Sequence, residues 1–145
     1  MADVHIELSS EQYRKLVEAL YLGTWMVNST RMELDEAFEE VRHLVLAKHQ
    51  EAGLEDEIFH QEESNIYDLE IEYETELLDR YVEPYDEASF GDKLVEKLAE
   101  KELVREYGAP IETMTDEIMA RRMQLEEQIR EEISKNGLTN LELNL

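Results

Sequence analysis

The stretch Ser9-Ser10-Glu11-Gln12-Tyr13-Arg14-Lys15-Leu16-Val17-Glu18-Ala19-Leu20-Tyr21-Leu22-Gly23-Thr24-Trp25-Met26-Val27 decides the fold class. Ser9 and Gln12 stand three apart, the spacing of a capping box, in which each side chain satisfies the other residue's backbone N–H at the start of a helix. Behind the cap, Tyr13, Leu16, Val17, Leu20, Tyr21 and Thr24 recur at helical spacing and share one face. The second half of the stretch is apolar nearly all round, which is the pattern of a central helix. Leu20, Trp25 and Val27 are therefore expected to be close to fully buried.

The flanking sequence extends this reading. Val4-His5-Ile6-Glu7-Leu8 alternates apolar and polar residues, a strand period. A second helix is expected to start between Arg31 and Asp35 and to end at Gly53, with Leu34, Phe38, Val41, Leu44 and Val45 as its buried stripe. Residues 54–64 read as a short helical segment carrying Ile58 and Phe59. Residues 67–73 alternate strictly and then pass into a helical period, which places a short strand ahead of a helix over residues 75–82, with Pro84 near its end. A helix over residues 88–107 turns Phe90, Leu94, Val95, Leu98, Leu103 and Val104 inward and is stopped by Gly108 and Pro110. Its outer row pairs Lys93 with Glu96 and Lys97 with Glu100. Thr113 or Thr115 caps the last long helix, whose stripe is Ile118, Leu125, Ile129 and Ile133 and whose stop is Asn136-Gly137. Leu141, Leu143 and Leu145 alternate again at the end. The expected fold is mainly α: an irregular bundle of about five helices in one acidic helical domain over residues 1–145. A minor two- or three-stranded sheet would form from the two ends of the chain, with residues 67–73 available as a third strand.

A chain of 145 residues that is 42% hydrophobic has enough material for a core without staples. It has no cysteine, which excludes disulfides, a thiol nucleophile, iron–sulfur clusters and cysteine-ligated zinc. The opening residues lack a basic and then apolar leader, and no apolar run approaches a membrane span. The expectation is a cytoplasmic protein without a membrane partner.

Charge is the strongest departure from the average. The formal net charge is −23, which argues against nucleic acid as a ligand, since phosphate backbones are bound by basic surfaces. The excess is uneven: residues 51–89 hold 15 acids against the single base Arg80.

The run from Leu8 to Asn28, Leu-Ser-Ser-Glu-Gln-Tyr-Arg-Lys-Leu-Val-Glu-Ala-Leu-Tyr-Leu-Gly-Thr-Trp-Met-Val-Asn, resembles the opening of a family of small bacterial proteins with no assigned function, and a fainter resemblance continues through residues 85–108. It implies a bacterial origin. It transfers no functional residues, because its motif is one of core packing.

Two constellations could carry chemistry. Glu40 with His43 and Glu57 with His60 repeat a Glu-x-x-His spacing, which in a four-helix bundle contributes to a carboxylate-bridged di-iron or di-manganese centre. The pairs lie only 17 residues apart in a glutamate-rich chain, too close for two full bundle helices, so no metal or other cofactor is expected. Asp68, Glu70, Glu72, Glu74, Glu76 and Asp79 fall at the ligand positions of a calcium-loop frame, but Tyr73 stands where that loop needs glycine. The plain reading of this ladder is one solvated acidic face of a strand. Isolated glycines and serines exclude phosphate loops and nucleophile elbows. The residues favour binding over catalysis. The expected function is that of a non-enzymatic interaction protein that docks a basic protein partner on its acidic middle, through Glu62, Glu63, Asp68, Glu70, Glu72 and Glu74, with nucleic-acid mimicry as a special case. A homo-oligomer is compatible with the sequence. The alternatives are a metal-dependent enzyme using the Glu-x-x-His pairs, or acidity that serves solubility alone.

Overall fold

The computed structural model describes residues 2–145. They are mainly helical. In order the elements are α1 (Ser10–Asn28), α2 (Glu36–Leu46), β1 (Ile58–Gln61), β2 (Ile66–Leu69), α3 (Ile71–Leu77), a π-helical turn (Leu78–Val82), α4 (Glu83–Tyr107) and α5 (Asp116–Asn136). Because α3, the π turn and α4 follow one another without a break, the described residues form four continuous helical rods, not five. The described residues form two compact units, one ending at Pro84 and one running Tyr85–Leu145.

In the first unit, α1 begins at the capping box read from the sequence. Ser9 Oγ accepts from the Gln12 N–H at 3.2 Å, and Gln12 Oε1 accepts from the Ser9 N–H at 3.0 Å. The buried stripe of α1 is Tyr13, Val17, Tyr21 and Thr24. Leu20, Trp25 and Val27 are only half-buried. The expectation that these three are close to fully buried is not met: the fully buried residues of α1 are those of a single stripe. The core joins Tyr13, Val17 and Tyr21 to Leu46, Leu54, Ile58, Leu69, Tyr73 and Leu77.

Of the stripe read for α2, Val45 packs against the core, but the other four residues face outward. Asp35 caps the helix, accepting from the Phe38 N–H at 3.3 Å, and the helix ends at Leu46, with turns leading on to Gly53 at φ +74°. Leu46 and His49 are buried, whereas Leu34 is 62% and Leu44 63% exposed, and Phe38 and Val41 are exposed with them.

Residues 58–69 form an antiparallel hairpin and not a helical segment, with Ile58 opposite Leu69 and His60 opposite Tyr67. Its loop, residues 62–65, turns on Asn65 at φ +52°, a left-handed conformation that asparagine tolerates. This hairpin is the small sheet of the molecule. The chain ends, residues 4–8 and 141–145, carry no strand, which corrects the expectation that they pair. The physical reason is loop closure. A four-residue loop costs far less entropy than one of more than a hundred residues, and five-residue strands have too little ladder to offset the difference.

Pro84 does not end the helix before it. It has no N–H to donate, and the backbone accommodates it by the π turn, in which the Glu83 N–H reaches back five residues to the Leu78 carbonyl.

In the second unit, Ala99 and Leu103 of α4 pack with Leu125 of α5, flanked by Ile111, Ile118 and Ile129. Phe90, expected inside, is 58% exposed. Thr115 caps α5 by accepting from the Ile118 N–H at 3.2 Å, and Gly137, at φ +58°, follows its last residue. The expected pairs form, Lys93–Glu96 at 3.0 Å and Lys97–Glu100 at 3.6 Å.

Candidate functional site

The acidic middle of the chain occupies the hairpin and α3. The strict alternation of residues 67–73 spans two kinds of backbone. β2 ends at Leu69, Glu70 precedes α3, and Glu72, Glu74 and Glu76 are helical. Residues two apart on a helix point to nearly opposite sides, so the carboxylates do not form one strand face as expected. The calcium frame dissolves for the same reason.

The candidate acids therefore divide. Glu62 and Glu63 lie in the hairpin loop, and Glu70 and Glu72 flank the start of α3; all four are exposed. Asp68 and Glu74 are tied into the unit. Asp68 Oδ1 accepts from the Arg42 guanidinium at 2.5 Å, while that guanidinium also donates to the Tyr67 carbonyl at 2.8 Å. Glu74 Oε1 accepts from the Tyr21 hydroxyl at 2.8 Å. Of the 15 acids in residues 51–89, three stand in ion pairs: Glu51 with Lys48, Glu57 with Arg14 and Asp68 with Arg42. Arg80, the one base of that segment, lies over its neighbour Tyr81's ring at 5.6 Å. The field of this region is thus largely unneutralised.

The Glu-x-x-His pairs are put to other uses. Glu57 holds Arg14 at 2.6 Å, and Glu40 is exposed on α2. His60 stacks on Tyr67 with ring centroids 4.2 Å apart, and its Nε2 is 2.8 Å from Asn65 Oδ1. His43 meets the same ring edge-on at 5.2 Å. His49, passed over in the sequence, does so at 5.7 Å, with its Nδ1 2.9 Å from the Leu46 carbonyl. The three imidazoles gather around one tyrosine. Among the described residues, no three His, Asp or Glu side chains come together as metal ligands.

Beside the acids lies an open cleft of about 550 Å³, within the first unit. Trp25, Leu34 and Ile66 give it apolar wall, and Glu39, Asp68 and Glu74 line it together with Arg42. Glu39 comes from α2, where Asn28 Nδ2 approaches its Oε1 at 3.4 Å. Thr24 also lines it, 6% exposed, with a hydroxyl that has no hydrogen-bond partner. The sequence pattern places Trp25 in the core and gives Glu39 and Arg42 no distinguishing signature. The signals available were a threonine closing an otherwise apolar stripe and an arginine next to Val41.

No family model, curated protein or solved structure matches the chain. Among the described residues, no helix is long and apolar enough to cross a membrane.

Proposed function

We propose that this is a non-enzymatic interaction protein that binds a basic protein partner through the acidic surface of its hairpin and α3. The observation that supports the reading is the imbalance within residues 51–89, where 15 acids face one base and three of those acids are paired. Concentrating like charge on a folded unit destabilises it by self-repulsion, and a field of one sign draws an oppositely charged partner and speeds encounter. Glu62, Glu63, Glu70 and Glu72 carry the contact because they are exposed and stand in none of the ion pairs. Asp68 and Glu74 contribute field while their carboxylates brace the unit. In the special case of nucleic-acid mimicry, these carboxylates occupy a partner's phosphate-binding surface.

The test is capture from lysate at low and at high salt, followed by the same capture with Glu62, Glu63, Glu70 and Glu72 all changed to Gln. A basic protein should be retained at low salt, released as salt rises, and lost with the fourfold variant, whose melting temperature should not fall. Duplex DNA should displace the partner if mimicry is the mode. Retention that ignores both salt and the four substitutions would leave the acidic surface as a solubility device.

A further inference from the structure

We infer that the cleft between α1, α2 and β2 receives the guanidinium of an arginine side chain of that basic partner. The inference rests on the reading above and adds to it a residue-sized anchor. Three carboxylates and one guanidinium line the cleft, so its formal charge is −2, and its preferred occupant is a cation. Arg42 is already committed to Asp68 and to the Tyr67 carbonyl. Glu74 and Glu39 each have one oxygen engaged, by Tyr21 and Asn28 respectively, which leaves the other oxygen of each for an incoming donor.

Charge alone does not make a site, and two further observations separate this cleft from the acidic loop. The first is the half-buried indole of Trp25 in the wall. A planar guanidinium stacks on an aromatic face while its fork of N–H groups meets carboxylates, whereas a compact ammonium does only the second well. The second is Thr24, whose hydroxyl is buried and without a partner. Buried polar groups are nearly always satisfied; the Thr24 oxygen has almost no accessible surface, so a guanidinium N–H in the cleft satisfies it once the side chain turns toward the cleft on binding. Leu34 continues the cleft into the exposed apolar stripe of α2, giving the rest of the partner chain a surface to lie on.

Trp25 is the only tryptophan of the chain, so it reports on its own cleft. The experiment titrates the full-length protein with the tripeptide acetyl-Ala-Arg-Ala-amide, with its neutral citrulline counterpart and with spermidine, reading tryptophan fluorescence. The arginine peptide should give a saturable change, and citrulline none. Changing both Glu39 and Glu74 to Gln, which keeps an acceptor for Tyr21, should weaken the response by about tenfold or more, the scale of losing charge-assisted hydrogen bonds. Thr24→Val should weaken it less and leave the melting temperature equal or higher. The variant with Glu62, Glu63, Glu70 and Glu72 all changed to Gln should titrate like the parent. No saturation, or an equal response to citrulline, overturns the inference, and tighter saturation by spermidine overturns its assignment to a protein side chain. If the titration fails while a basic partner is still captured through the loop acids, the cleft reading falls and the surface reading stands. If the titration succeeds and no basic protein is captured, the surface reading falls and arginine recognition stands.

Discussion

Three tyrosines of the first unit, Tyr13, Tyr21 and Tyr73, are buried with their hydroxyls bonded: Tyr13 to the Val45 carbonyl at 2.5 Å, Tyr21 to Glu74 and Tyr73 to Glu18 at 3.2 Å. Burial, reinforced by the nearby charge of Glu51, pushes Tyr13 up to about 12. Burial, with the charge of Glu18, does the same for Tyr73. Tyr21 is pushed up as well, by burial and by its bond to Glu74. An unfolded tyrosine loses its proton near pH 10. Above that pH the folded chain holds more protons than the unfolded one, so stability is fully present below about pH 10 and falls as pH rises toward 12. The slope reaches about 1.4 kcal/mol per pH unit for each tyrosine. Melting temperature followed from pH 8 to pH 11.5 should drop steeply over the last part of the range. Tyr13→Phe with Tyr73→Phe should flatten that drop, at a cost of about 1 kcal/mol for each lost hydrogen bond at pH 8. An equally steep drop in the double variant would place the alkaline sensitivity elsewhere.

At the scale of elements, Arg42 joins α2 to the hairpin. Its side chain is 14% exposed, and it holds both the Tyr67 carbonyl and Asp68. Arg42→Met keeps the apolar stem and removes both bonds, leaving the carboxylate with only the Leu69 N–H, at 3.1 Å, among its protein donors. Because Asp68 is nearly half exposed, the loss should be about 1–3 kcal/mol, below that for a fully buried pair. In a unit of this size that lowers the melting temperature by roughly 4 °C or more. An unchanged melting temperature would mean that the hairpin is held by Ile58 and Leu69 alone. The same helix shows the limit of a hydrophobic period. Periodicity locates an apolar stripe but not what it faces, and here Arg42, Leu46 and His49 turn toward the unit while Leu34, Phe38, Val41 and Leu44 turn away. In the hairpin, the alternation of residues 67–73 was visible in the sequence, but where strand gives way to helix was not, because Leu69, Ile71 and Tyr73 suit either period.

For the whole molecule, the net charge of −23 sets how it responds to salt. Among the described residues, nearly every ion pair has at least one exposed side chain and four have two, and such pairs contribute little. Repulsion among the remaining carboxylates should therefore dominate the electrostatic part of stability. Raising sodium chloride from about 10 mM to about 500 mM shortens the screening length from roughly 30 Å to a few ångströms, and the melting temperature should rise. A fall over that range would show that the ion pairs outweigh the repulsion.

Local chemistry was legible in the residues themselves. The Ser9–Gln12 box, a threonine cap at Thr113 or Thr115, the stops at Gly108 and Gly137, and the i,i+3 pairs of α4 each depend on neighbours within a turn or so of chain. The class of the fold and the placement of the charge followed from composition and period. Which side of α1 and α2 is covered, which segment becomes the sheet, and which carboxylates stay free were decided only by tertiary structure. Each of those depends on partners distant in sequence: Arg42 on Asp68, Tyr21 on Glu74, Arg14 on Glu57. A hydrophobic period shows that a side chain has a face to cover, but only the packed unit determines what covers it. The cleft is the clearest case, since Trp25, Glu39 and Glu74 come from three helices and acquire a common chemistry only when those helices meet.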